Sequence, residues 1–282
     1  MAKKNWTPFS PANKAFDYAG DKLAKAWGKL HAGDQEPFPD DAHVAKLLKV
    51  NSKLGKAADA GKIAEELQKA WRAFHRGDFQ EAYETGTSFG VLGSSVAIKA
   101  AGIHATYLLD DDKEKEARYL ALGKLADEAI AQLPGEANSN YRRAFAIGRY
   151  SQCISIAKAL SQGLAGKVKE SLDKTLKLAP KHGEAHTALG LYHAEIIGKV
   201  GSMIGGLTYG AKSALGEEHL KTALKLTPDS PVAWIEYGNG LLLLFGNKRE
   251  DDAAEAYDKA AKLKPKDAME ALDVAHAKAQ LE

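Results

Sequence analysis

The sequence predicts an all-α fold: a solenoid of helical hairpins with an N-terminal helical extension and one Gly-rich insert. Three observations predict it. Apolar residues recur at helical spacing almost everywhere along the chain. No run alternates β-branched and polar residues as a half-buried strand would. The C-terminal half repeats itself, each copy being a helix closed by Lys-Leu-x-Pro, a short polar turn and a second helix.

In chain order, Ser10-Pro11 reads as the opening of the first helix, with serine as N-cap and proline at the first helical position. Phe16, Ala19, Leu23, Trp27 and Leu30 then make one apolar face, with Lys14, Lys22, Lys25 and Lys29 around it. A stripe of this kind suits an anionic membrane surface. More often it docks on the protein's own first hairpin, as the cap a solenoid needs, and docking is the expectation. Residues 1–60 are therefore read as an N-terminal helical extension and 61–282 as the repeat domain, clearest over 163–282. Gly33 to Asp41 is a loop whose aspartates cap a second helix. A third helix runs from about Ile63 to His75, with Leu67, Ala70, Trp71 and Phe74 as its core face. Gly77-Asp78-Phe79-Gln80-Glu81-Ala82 is a tight turn into another. The run Asp110-Asp111-Asp112 is a helix N-cap with a solvated face behind it. Tyr141 to Ala159 reads as one long amphipathic helix.

The repeat is visible in three segments: KESLDKTLKLAPKHGEAHTALG from Lys169, EEHLKTALKLTPDSPVAWIEYG from Glu217 and AEAYDKAAKLKPKDAMEALDVA from Ala254. Pro180, Pro228 and Pro265 close the first helix of each. A short hairpin cannot bury its apolar stripe alone, whereas stacked hairpins can, and each proline stops one helix before the next begins. Alanine and glycine at the crossings let backbones approach.

These positions resemble the tetratricopeptide repeat (TPR) family. Its Ala, aromatic, Ala, Pro pattern is met by Ala253, Tyr257, Ala260 and Pro265. Its Trp, Leu-Gly, aromatic pattern is met by Trp234, Tyr237-Gly238 and Leu241, and one repeat earlier by His186, Leu189-Gly190 and His193. Gly77-Asp78-Phe79 with Ala82 is a poorer, earlier match. The proline intervals exceed the TPR period of roughly 34 residues, the later by about three and the earlier by about fourteen. The last part of the chain also looks similar to uncharacterised bacterial TPR proteins. More distantly it resembles the helical domain of the regulator of microtubule dynamics family, in which an insert also interrupts a TPR-like array; that likeness carries over no function. The TPR resemblance implies a binding role with a protein or peptide partner. It also implies a concave face lined by Thr187, Leu191 and Glu195 from one hairpin and Ile235, Asn239 and Leu242 from the next.

The extra residues lie in Ile196 to Gly216, where glycines alternate with Val200, Met203, Ile204, Leu207 and Tyr209. So apolar a loop should not lie in water. The expectation is that it packs into the groove of its own repeats; the alternative is contact with a ligand or a membrane. Gly205 to Ser213 nearly spells a phosphate-binding loop, with one residue too many before Lys212 and no strand ahead of it, so nucleotide binding is not expected.

Composition narrows the rest. Lys+Arg number 39 against 37 Asp+Glu, a net charge of +2 that does not suit a nucleic-acid binder. One cysteine, Cys153, permits no internal disulfide and reads as a small core residue. No secretory signal is read at the N-terminus, and the most apolar run, Leu241 to Phe245, falls well short of the roughly 20 residues a transmembrane helix takes. A soluble protein in a reducing cytoplasm is expected. His182, His186 and His193 invite a metal hypothesis, but two of them occupy TPR packing positions, so satisfied core histidines and no metal or cofactor are expected. With no catalytic constellation legible, the reading is a non-catalytic scaffold or adaptor. The alternative is a carrier of a small apolar molecule enclosed by the helices and the insert.

Overall fold

The structure, a computed structural model, describes residues 6–10 and 16–282. Helices and their connections make up the described residues, and no strand occurs among them. Internal contacts divide the chain into two compact units. The first comprises the described residues of 1–29 and 36–164, the second 30–35 and 165–282. The expected boundary at residue 60 lies inside the first unit.

The first unit begins with an irregular segment and α1 (Lys22–Leu30). The helix expected to open at Ser10 therefore starts at Lys22. Pro11 to Ala15, with Lys14, lie outside the described residues; residues 17–21 are not helical, and Ala19 is exposed. The apolar stripe nonetheless docks on its own protein: Leu23 is fully buried, and the Trp27 ring meets Trp71 edge-on at 5.6 Å and Phe38 at 5.0 Å. Asp40 caps α2 (Asp41–Val50), its carboxylate accepting from the His43 N–H. Then come α3 (Ala60–Arg76) and α4 (Phe79–Ser88), joined by the Gly77-Asp78 turn. The predicted stripe Leu67, Ala70, Trp71 and Phe74 is the buried face of α3.

Next are α5 (Ser94–Tyr107), α6 (Asp112–Gln132) and α7 (Ala137–Gln152). Their shared core is Ile98, Ala101, Ala105, Tyr119, Leu122, Ala126, Ala146 and Tyr150. Asp111 caps α6 by accepting from the N–H groups of Lys113 and Glu114, which accounts for the aspartate run. The helix expected over Tyr141–Ala159 is two. It stops at Gln152 and resumes as α8 (Ile156–Ser161), because the Ser155 hydroxyl accepts from the Lys158 N–H and starts a new helix.

The second unit contains the three repeated segments. It holds α9 (Leu164–Leu178), α10 (Gly183–Tyr209), α11 (Ser213–Leu226), α12 (Pro231–Phe245), α13 (Glu250–Lys262) and α14 (Ala268–Ala279). Pro180, Pro228 and Pro265 fall in the turns after α9, α11 and α13. Two hairpins result, α10–α11 and α12–α13, and both cross at a glycine. A Cβ on Gly190 would lie 2.5 Å from Leu220 Cγ and 2.9 Å from the Gly216 carbonyl oxygen; one on Gly238 would lie 3.1 Å from Tyr257 and 3.2 Å from the Ala253 carbonyl oxygen. The same helix position meets the same two partner positions in each copy. Loop 30–35 caps α10: the Gly33 carbonyl accepts from the Glu184 N–H at 3.0 Å.

Candidate functional site

The insert is helix, not loop. α10 continues through Gly198 and Val200, bends at Gly201 and runs on to Tyr209. Gly201 has φ 79° and ψ 161°, an extended-left geometry that only glycine adopts without strain. The bend turns residues 202–209 back against the first part of α10: a Cβ on Gly205 would lie 3.2 Å from Ile196 Cγ2. The Tyr192 hydroxyl donates to the Tyr209 carbonyl at 3.1 Å and pins the end of the extension.

One face of the extension is thus used internally, and the other carries Met203, Ile204 and Leu207, neighbours at helical spacing. Met203 is 76% exposed, Ile204 55% and Leu207 86%. The expectation that these side chains plug the groove of the repeats is therefore overturned. The kink spends Gly205 on the protein and leaves the apolar side chains in water. Beside the kink, Leu243 lies over Gly198, 3.4 Å from where a Cβ would be, and Leu242 and Leu243 are themselves 36% and 42% exposed. Met203, Ile204 and Leu207 thus make an apolar ridge past the kink, and exposed leucines of α12 stand near Gly198 before it.

Within Gly205 to Ser213, three successive amides are already engaged. The N–H groups of Gly210 and Ala211 bond to the carbonyls of Gly206 and Gly205, and that of Lys212 donates to His193 Nδ1 at 3.4 Å.

The expected concave face is only partly a surface. Thr187 is buried, its hydroxyl donating back to the Gly183 carbonyl. Ile235 is buried because α14 packs Ala277 into the same cluster, with Ala253, Tyr257 and Ala260. Leu191 is half-buried. Glu195 pairs with Lys199 at 2.9 Å. Asn239 accepts from the Tyr257 hydroxyl at 2.6 Å and donates to Glu236 at 2.8 Å, so both ends of its amide are engaged. Leu242 alone of the six is exposed.

The histidines stack inside the α10–α11 hairpin. His186 Nε2 donates to the Pro180 carbonyl at 3.1 Å, which leaves its Nδ1 as acceptor for His219 Nδ1–H at 2.9 Å. His193 lies parallel to His219, centroids 6.2 Å apart. Burial, then the neighbouring His219 and Lys169, hold His193 down at about 4. His193 Nδ1 already accepts a backbone hydrogen bond, so a proton there would break it. His219 is lowered too, by burial and by His186. His182 caps α10, its Nδ1 accepting from the Ala185 N–H. Among the described residues, no three His, Cys, Asp or Glu side chains converge as metal ligands.

Between α9 and the end of α10 lies an open groove of about 590 Å³, lined by Lys169, Glu170, Asp173, Lys174, Lys177, Tyr192, Thr208 and Tyr209. It is wide open to solvent and would not enclose a small molecule.

Among solved structures the chain matches TTC0263, a thermophilic TPR protein from Thermus thermophilus. The TM-score is 0.54, over 77% of this chain and 99% of that one, at 16% sequence identity. The fold is a TPR-like helical repeat. At that identity the likeness is one of fold. No family model matches the sequence, and no curated protein matches it. Within the TPR frame, His186 and Trp234 hold equivalent places: the Trp234 Nε1–H donates to the Pro228 carbonyl at 2.8 Å, as His186 does to Pro180. The ridge is what α10 adds to that frame. Among the described residues, no helix is long and apolar enough to cross a membrane.

Sequence reasoning named Met203, Ile204 and Leu207 but gave them the wrong surroundings. It overlooked Leu243, whose signal was present as four successive leucines at the end of α12.

Proposed function

We propose that this chain is a non-catalytic scaffold of the cytoplasm that docks a helical segment of a partner protein on the ridge Met203, Ile204 and Leu207, continued by Leu242 and Leu243. One observation carries the reading: the apolar side chains stand in water on a braced helix. Burying each against a partner gains about 1.5–3 kcal/mol at most, without the ordering cost a loop would pay. An apolar helix face meeting residues at helical spacing is a recurrent mode of peptide recognition, and repeat folds present such surfaces to partners. The near-neutral charge of +2 favours a protein over a nucleic acid. Carriage of a small apolar ligand is less favoured, because the groove beside α9 is open rather than enclosing.

Site-specific photo-crosslinking tests it. A photoreactive phenylalanine at position 207 is expected to capture a protein in source cells, and Ile204→Asp in the same chain is expected to abolish that capture. Crosslinks to lipid alone, or capture indifferent to Ile204→Asp, would refute the reading.

A further inference from the structure

Residues 6–9, in the first unit, have no regular structure, yet side chains of formed helices contact them. The Trp6 ring sits 5.4 Å from the Tyr83 ring of α4 and 4.6 Å from the His104 ring of α5. The guanidinium of Arg118, at the start of α6, lies 4.5 Å from it. His104 Nε2 donates to the Thr7 carbonyl at 3.0 Å. That role is enforced from behind, since Arg118 Nη1 donates to His104 Nδ1 at 2.9 Å and requires the neutral ring with its proton on Nε2. Burial, then the Arg118 charge, hold His104 at about 4, so this state persists at neutral pH. Phe9 is also buried. The same grammar continues along the segment: Arg72 of α3 donates to the carbonyls of Tyr18 and Gly20, each at 3.2 Å.

Side chains of formed helices read the carbonyls of an irregular segment, and an aromatic anchor fills a cationic and aromatic box. Extended peptides are held this way. We infer that the cleft between α4, α5 and α6 is a binding site for an extended partner segment bearing a tryptophan, with Trp6–Phe9 as its resident occupant in cis. The cleft selects a tryptophan over an aliphatic residue, through the Arg118 face contact, and a large apolar residue at the third position after it.

The test uses the full chain. A fluorescein-labelled peptide of residues 6–10 (Trp-Thr-Pro-Phe-Ser) is titrated with wild type and with Trp6→Ala. A segment in cis competes at roughly millimolar effective concentration, so Trp6→Ala is expected to bind the peptide at least about tenfold tighter than wild type. Tyr83→Ala in that background is expected to remove the gain, and a peptide with leucine for tryptophan is expected not to bind. Should Trp6→Ala not fold, Trp6→Phe keeps a ring in the cleft and is measured in its place. A folded Trp6 variant that binds no peptide, or equal binding to wild type and variant, overturns the proposal. A wild-type dimer abolished by Trp6→Ala would also overturn it, by assigning the cleft to a second copy of this chain.

Discussion

The hairpins α10–α11 and α12–α13 share one frame and differ in almost everything hung on it. Both cross at a glycine, Gly190 or Gly238, against equivalent partner positions. Both tie a ring N–H to the carbonyl of the proline that closed the preceding helix. The earlier hairpin fills its interior with His186, His193 and His219. The later one uses Trp234, Tyr237 and Tyr257, with Lys259 over the Trp234 ring at 4.1 Å. Only the earlier one extends its first helix, past a glycine bend, into an exposed ridge. The difference teaches that the frame lives in small residues and turn prolines, while bulk, charge and added surface vary around them.

The largest way to break the comparison is at the crossings. Gly190→Ala is expected to cost about 2–3 kcal/mol, because its Cβ would meet Leu220 Cγ at 2.5 Å and backbone at 2.9 Å. Gly238→Ala meets looser contacts of 3.1 and 3.2 Å, and the helix propensity gained, about 1 kcal/mol, offsets much of the strain, leaving a net cost under about 1 kcal/mol. Urea unfolding of the two variants measures this, and a reversed order would mean the hairpins are not equivalent.

A smaller effect is expected at the ring positions. Trp234 is only half-buried, so Trp234→Ala should cost about 2 kcal/mol rather than a full core penalty. His186→Ala should cost about 1 kcal/mol, since a smaller, half-exposed ring is lost with its bonds to the Pro180 carbonyl and His219. Equal losses in thermal unfolding would count against the ranking.

Acid should separate the hairpins further. His193 is held at about 4 against an unfolded value near 6.5, so below pH 6.5 the unfolded chain takes up protons that the fold refuses. The stabilisation is complete above about pH 6.5, declines as pH falls and is gone near 4. His104 adds the same dependence in the first unit. The α12–α13 hairpin contains no histidine. Hydrogen exchange corrected for intrinsic rates should therefore show α10 and α11 losing protection before α12 and α13 as pH drops from 7 to 5. His193→Gln should narrow the gap. Simultaneous loss would mean the histidine stack does not titrate as its burial requires.

The frame was legible because its markers are local. Pro180, Pro228 and Pro265 stop helices wherever they occur, and Asp40 and Asp111 cap helices by reaching their own backbone. The insert was misread for an equally local reason: each glycine costs a helix about 1 kcal/mol, so a Gly-rich stretch reads as loop. Contact of Gly205 with Ile196 and the Tyr192–Tyr209 bond, both longer in range than any periodicity, help hold it helical. Thr187 and Ile235 were misplaced because exposure of a helix face depends on what packs across it, and α14 covers Ile235. The break before α8 has no glycine or proline to announce it; a serine cap suffices. The Trp6 cleft was missed altogether, since one tryptophan ahead of Pro8 has no period to betray its partner.

The ridge is the smallest perturbation to the fold and the largest to its proposed role. The most direct measurement pairs thermal unfolding with partner capture for Met203→Asp/Ile204→Asp, the photoreactive phenylalanine staying at position 207. The account predicts stability within about 0.5 kcal/mol of wild type, as for other exposed substitutions, together with loss of the crosslinked partner. A loss of several kcal/mol would mean the ridge is core, and full capture by a stable double variant would mean the partner docks elsewhere.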